Sequence, residues 1–317
     1  MGYKTKLTIL AILSIILSAV FLFWDIGEHW EYILPKRAIK IFAIILTGSC
    51  IAFSTVVFQT ITNNRILTPS LIGLDSLYML IQTFIVFFFG GATLSMMSKG
   101  HHYLLSVGLM VLFALILFRF IFMKKEGRNI YFLLLIGIIM GTFFGSITSF
   151  MQLLIDPNEF LVVQDSMFAS FNNVNTDLLW LSVILLICVT LYFFRFVKYL
   201  DVLSLGRDQA VNLGVPYDFV VQRLLIVIAI LVSISTALVG PITFLGLLVV
   251  NVAHEFLRTY RHSVMITGSI LISIVALVGG QLIVERVFTF STTVSVIINF
   301  IGGVYFIYLL LKENRSW

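Results

Sequence analysis

Side chains able to make or break bonds are few in this sequence, and they are scattered. Five histidines, His29, His101, His102, His254 and His262, are spread over 317 residues. Only His101 and His102 adjoin, and a neighbouring pair falls short of the donor set a zinc site needs, so they read as part of a polar loop. Cys50 and Cys188 both lie in apolar runs, which implies neither a disulfide framework nor a thiolate cluster. No phosphate-binding glycine loop and no nucleophile–base pattern is visible, so no catalytic residue, cofactor or metal ligand is assigned. The remaining informative residues are suited to packing, docking and gating.

Two groups stand out. Gly137, Gly141, Gly145 and Ser149 recur at steps of four, with Thr142 beside them, so they share one helix face. Small residues there either let a second backbone approach closely or line a lumen. The second group lies in the segment 195–223. Within it Arg207–Leu213 reads as a short helix stopped by Gly214, with Pro216 just beyond. An amphipathic helix of this kind either docks a soluble partner or lies on the lipid surface.

The elements that must position these residues follow from composition. Hydrophobic residues make up 60% of the chain and charged ones 11%, against about 25% in soluble domains. Such a chain cannot cover its surface with polar groups, so it is integral to a membrane. The net charge of +5 then bears on orientation rather than on nucleic acid. Charge-free windows cover Leu7–Trp24, Ile41–Asn64, Ser76–Ser98, Tyr103–Phe118, Asn129–Ile155, Leu178–Phe194, Leu224–His254, Ser263–Val284 and Val287–Leu311. As one helix Leu224–His254 would be roughly 46 Å long, and Gly240-Pro241 interrupts it, so it is split in two. With ten spans and both termini inside, 15 Lys and Arg face the cytoplasm and 5 face outward; nine spans give 12 and 8. Basic residues gather inside, which favours ten.

The fold expected is therefore all-α: a single transmembrane domain over residues 1–317, with a cytoplasmic loop at 195–223. Lys4 and Lys6 ahead of the first window also suit a secretory signal, but no small-x-small cleavage site precedes Asp25, so the first span is expected to stay. The outer loop Asp156–Asp177 mixes apolar and acidic residues, which suits either an interfacial helix capping the mouth of a pathway or an ordinary ordered connection. Asp75 is the only acid near a span and is expected at the inner edge of the third. An ion-coupled carrier keeps ionisable groups at mid-membrane, so energy for transport is expected to come from elsewhere.

Three blocks resemble one family, the iron-siderophore and cobalamin ABC-importer permeases. Gln59 to Gly73 is similar to its Q-x-x-x-R-N-P-L-A-x-P-x-x-x-G, keeping Gln59, Asn64, Pro69 and Gly73, with Arg65 where the family has proline. Leu205, Gly206, Ala210, Leu213 and Gly214, followed by Arg223, match L-G-x-x-x-A-x-x-L-G…R. Gly240, Pro241 and Gly246 fit G-P-I-x-F-x-G-L. The chain departs from the pattern after Leu247, where Val250-Asn251 and His254 replace P-H and Arg, and Ser291-Thr292-Thr293 replaces Glu-Leu-Pro. The surrounding residues look most like the branch importing ferric catecholate-type siderophores such as vibriobactin, anguibactin and petrobactin.

The resemblance implies a multi-pass subunit of the bacterial cytoplasmic membrane, with ten helices and no enzymatic step of its own. It implies three partners: a second permease chain, a dimer of cytoplasmic ATPases, and an extracytoplasmic siderophore-binding lipoprotein. Leu205, Gly206, Arg207, Asp208, Ala210, Leu213, Gly214 and Arg223 would then seat in the ATPase. Arg37-Ala-Ile-Lys40 stands where the family has R-x-P-R, and with Arg286 it would receive acidic groups of the binding protein, although snorkelling to the interface also explains these cations. The face Gly137, Gly141, Thr142, Gly145 and Ser149 would line a pathway or the dimer interface. Rival expectations are a secondary carrier of a small hydrophilic solute and an intramembrane enzyme.

Overall fold

The computed structural model describes residues 2–25, 29–91, 99–123, 130–172 and 174–313. Among these the regular structure is helical throughout: α1 (Tyr3–Phe23), α2 (Trp30–Thr62), a 3₁₀ turn (Pro69–Ile72), α3 (Leu74–Phe89), α4 (Lys99–Met123), α5 (Ile130–Leu154), α6 (Pro157–Met167), α7 (Thr176–Phe193), α8 (Val197–Leu203), α9 (Arg207–Asn212), α10 (Tyr217–Val239), α11 (Leu245–Leu257), α12 (His262–Arg286) and α13 (Val294–Glu313). Seven of them, α1, α2, α4, α5, α7, α10 and α12, are long and apolar enough to cross a membrane, and α3, α11 and α13 are shorter apolar helices. The chain is a multi-pass membrane protein.

α2, α10 and α12 carry most of the core, including the fully buried Ile44, Phe58, Leu224, Ile228, Leu231 and Leu277. α1, α5 and α7 instead present apolar side chains outward, Ile15 at 67%, Leu153 at 84% and Leu191 at 63% exposure. In water such faces would be a liability; against lipid or another apolar helix they cost nothing.

Two interruptions shape the interior. The window Leu224–His254 breaks as its breaker pair predicts: α10 stops at Val239, Gly240 takes φ +103°, and α11 restarts at Leu245. The freed Val239 carbonyl is not wasted, since the Ser170 N–H donates to it at 2.9 Å. The second interruption lies between α2 and α3. α2 ends on Asn63 in the left-handed region, and the chain turns through Pro69–Ile72 to Gly73 at φ +87°. A Cβ on Gly73 would lie 3.0 Å from the Gly141 backbone, and one on Gly137 would lie 2.8 Å from Ile72 Cα. Gly141 is near the midpoint of α5, so this segment does not stay at a surface. Asp75 accordingly sits close to half-height of a membrane-length helix, and not at the inner edge expected of it.

Two more expectations need correction. The last window begins at Val294 and not Val287, because residues 287–293 form an irregular turn in which Thr289 and Phe290 adopt positive φ. His101 and His102 belong to the first turn of α4 and not to a loop, with His102 Nε2 2.8 Å from Gln82 Oε1 on α3. A helix does form in the segment 156–177: α6, capped by Asp156, whose carboxylate accepts from the Asn158 N–H at 2.9 Å.

Candidate functional site

Charged residues collect at two opposite ends of the bundle. At one end Lys6 Nζ donates to the Phe256 carbonyl at 2.6 Å, and Arg65, Ser204 and Arg258 line a common hollow of about 590 Å³. At the other, Arg286 pairs with Asp25 at 2.8 Å and Lys40 with Glu285 at 2.9 Å.

The first end carries the helix pair α8 and α9. Gly206, at φ +96°, is the conformational joint that lets α9 turn back directly after α8. α9 is one residue shorter than its sequence suggests, with Leu213 as its cap and Gly214 at φ +82° ending it. Ala210 is fully buried and anchors the element. Arg207 reaches Asp218 at 3.7 Å and lies over the Tyr217 ring, while Arg223 lies over Phe219. Asp208 is exposed, and so are the apolar Leu205, Val211, Leu213 and Phe219. An apolar patch beside charged groups on a short helix away from the lipid-facing walls suits a partner protein.

This helix pair is tied to the bundle by a contact that sequence reading missed. The Asp201 carboxylate on α8 accepts from the backbone N–H of His262 at 3.1 Å and lies 2.6 Å from its ring Nδ1; Nε2 of the same ring meets Thr60 Oγ1 of α2 at 2.9 Å. Partial desolvation opposes ionisation of Asp201, but the bonds from His262 and the nearby Arg261 charge outweigh it and hold the carboxyl below the usual range. Residues 61 apart in sequence give no local signal of such a bond.

The family-motif residues prove to be backbone fasteners. Gln59 is buried, and its Nε2 donates to the Arg65 carbonyl at 2.6 Å; Asn251 Nδ2 donates to the same oxygen at 2.9 Å. Asn64 Oδ1 accepts from the Ile66 N–H at 2.9 Å, and Pro69 opens the 3₁₀ turn. Gly246 lies against α2 so closely that a Cβ would come within 2.2 Å of Thr55 Oγ1. Pro241 follows Gly240 in the break between α10 and α11.

The small-residue face divides. Gly137 and Gly141 are consumed by packing on the 3₁₀ turn and Gly73, whereas a Cβ on Gly145 would meet nothing within 4 Å. Thr142, Ser146 and Ser149 are exposed, and the hydroxyls of Thr142 and Ser146 are returned to carbonyls four residues earlier. Beyond Gly141 this face of α5 therefore offers small, weakly polar side chains.

At the second end all three proposed docking cations have partners within the chain. Arg37 caps α1, donating to the carbonyls of Phe21, Leu22 and Trp24 at 3.3, 3.1 and 2.7 Å. Arg286 adds a bond to the Trp24 carbonyl at 2.8 Å. Lys36 is exposed and hydrogen-bonds the Tyr32 hydroxyl. Lys36, Arg37 and Lys40 share a hollow of about 750 Å³ with Asn172, Asn175 and Glu285.

Known proteins share the sequence pattern and the fold. The profile of the FecCD transport family matches residues 4–312. The chain is 65% identical over 317 residues, all of both chains, to the petrobactin import system permease protein YclO of Bacillus subtilis. It is 38% identical over 282 residues, 89% of this chain and 79% of the relative, to the petrobactin import system permease protein FatC of Bacillus anthracis. It is also 29% identical to FatD, a second petrobactin import permease of that organism, over 98% of this chain and 92% of the relative. A solved inward-facing metal-chelate type ABC transporter superposes with a TM-score of 0.83 at 20% identity, over 98% of this chain and all of that one, which places the fold. This chain belongs to the FecCD transport family.

Proposed function

We propose that the chain is a permease subunit of an ABC importer that carries a ferric catecholate-type siderophore, petrobactin by the names of its relatives, across the bacterial cytoplasmic membrane. The observation that carries this reading is the exposed apolar patch of α9, Leu205, Val211 and Leu213, held by Asp201 and His262 at the end rich in arginine. Such an element is a lever on which a cytosolic ATPase dimer can pull. Ten crossings with both termini in the cytoplasm suit this arrangement, because Arg65, Ser204 and Arg258 share one end and a nine-crossing chain would separate them.

The second permease chain is a different polypeptide in this reading, in keeping with the likeness to both FatC and FatD of one organism. The two chains would meet across α5, with Thr142, Gly145 and Ser149 on the pathway. A lipid-anchored binding protein would dock at the opposite end, on Lys36 and the rim built by Arg37, Lys40 and Arg286. Iron-limited cells deleted for their own permease, supplied with this chain, its partner permease and the ATPase, should take up ⁵⁵Fe-petrobactin. Uptake that persists with an ATPase unable to hydrolyse nucleotide would overturn the reading.

A further inference from the structure

We propose that Asp75, together with the hydroxyls of Ser70, Thr236 and Thr243, forms a site for one small monovalent cation of the sodium class where the two chain interruptions meet. Thr243 Oγ1 lies 3.4 Å from Asp75 Oδ2, and Ser70 and Thr236 also hydrogen-bond the carboxylate. The four residues flank both breaks: Ser70 and Asp75 lie on either side of Gly73, and Thr236 and Thr243 on either side of Gly240-Pro241. Interrupted helices that meet at mid-membrane are where transporters of other folds coordinate ions, since only there are oxygen ligands free of helical bonding.

The chemistry of the lining fits that occupant. A small, partly open pocket of about 20 Å³ lies against Asp75, with room for one water-sized particle. Its polar side chains are Ser54, Thr55, Thr68, Ser70, Asp75, Thr236 and Thr243, all oxygen donors, and among the described residues no Lys, Arg or His lines it. Oxygen-only donors select hard cations over nitrogen- and sulfur-seeking metals, and a single carboxylate matches a single positive charge. A carboxylate at this depth without a basic partner is costly, and a cation relieves that cost.

The test uses the purified importer complex in nanodiscs and needs no transport, so its outcome is separate from that of the ⁵⁵Fe experiment. ²²Na⁺ should bind saturably at about one ion per copy of this chain. Replacing choline chloride by sodium chloride at constant ionic strength should raise the thermal midpoint by roughly 2–4 °C. Asp75→Asn should abolish both effects, and Thr236→Val, which keeps the carboxylate, should weaken binding. The wild-type ion exchange stands even where a variant fails to fold. Absence of saturable ²²Na⁺ binding with equal midpoints in both salts overturns the site, and a midpoint that follows pH but ignores sodium assigns Asp75 a proton instead.

Discussion

Lys40 and Glu285 form an ion pair at 2.9 Å, with 16% and 9% of their side chains exposed, that joins α2 to the last turn of α12 across 245 residues of sequence. A cation so enclosed and neutralised has little field left to offer a docking protein. Lys40→Glu should therefore destabilise the fold by about 3–5 kcal/mol, the cost of leaving a buried charge uncompensated. The exchange Lys40→Glu with Glu285→Lys should restore the thermal midpoint. Should the exchange restore stability but not affinity for the binding protein, measured at low salt, Lys40 docks as well as braces.

The α9 patch makes a prediction that Ala210 cannot make cleanly. Ala210 is fully buried, so a bulky residue there overpacks the seat of the helix. Leu213, 64% exposed, can be changed without touching the interior. Leu213→Asp should lower siderophore uptake and stimulated ATP hydrolysis by about tenfold or more while the thermal midpoint of the isolated permease stays put. Unchanged hydrolysis would remove the patch from the ATPase contact.

The Asp201–His262 link should give a pH-dependent stability difference. The folded Asp201 carboxyl is held below its ordinary value of 3.8, so it contributes stability above that value and loses the contribution as pH falls through the lower, folded one. Asp201→Asn should thus be less stable than wild type at pH 7, and the gap should close only below about pH 4. Because 63% of the Asp201 side chain is exposed, the loss should be modest, a few degrees in a thermal scan.

Glycines of the α5 face should separate by role. Gly137→Ala forces a Cβ against Ile72 Cα at 2.8 Å and should cost about 1–3 kcal/mol in stability. Gly145→Ala meets open space and should leave the thermal midpoint unchanged. A drop in ⁵⁵Fe uptake by Gly145→Phe alone, with the complex intact, would assign that face to the pathway.

Much of this is legible in the sequence. Gly240-Pro241 announces its break because glycine and proline act through their own backbone, and the Arg207–Gly214 helix carries its stop signal in sequence. The steps of four from Gly137 to Ser149 announce a face but not its neighbour, so the sequence could not tell that half of it is spent on Gly73. Nor could it place Asp75. Depth depends on where residues 64–73 travel, and that is set by packing on α5, far along the chain. Pairings such as Lys40 with Glu285 leave no periodic trace, since each partner on its own is an ordinary residue near a helix end.

The double grip on residue 65 is indifferent to which side chain stands there. Gln59 and Asn251 hold its main-chain oxygen, which every amino acid possesses, and neither bond touches the guanidinium. An imino acid there would lose nothing in that fastening, so arginine and proline are interchangeable for the clasp. The side chain is thereby released to add positive charge to the arginine-rich mouth.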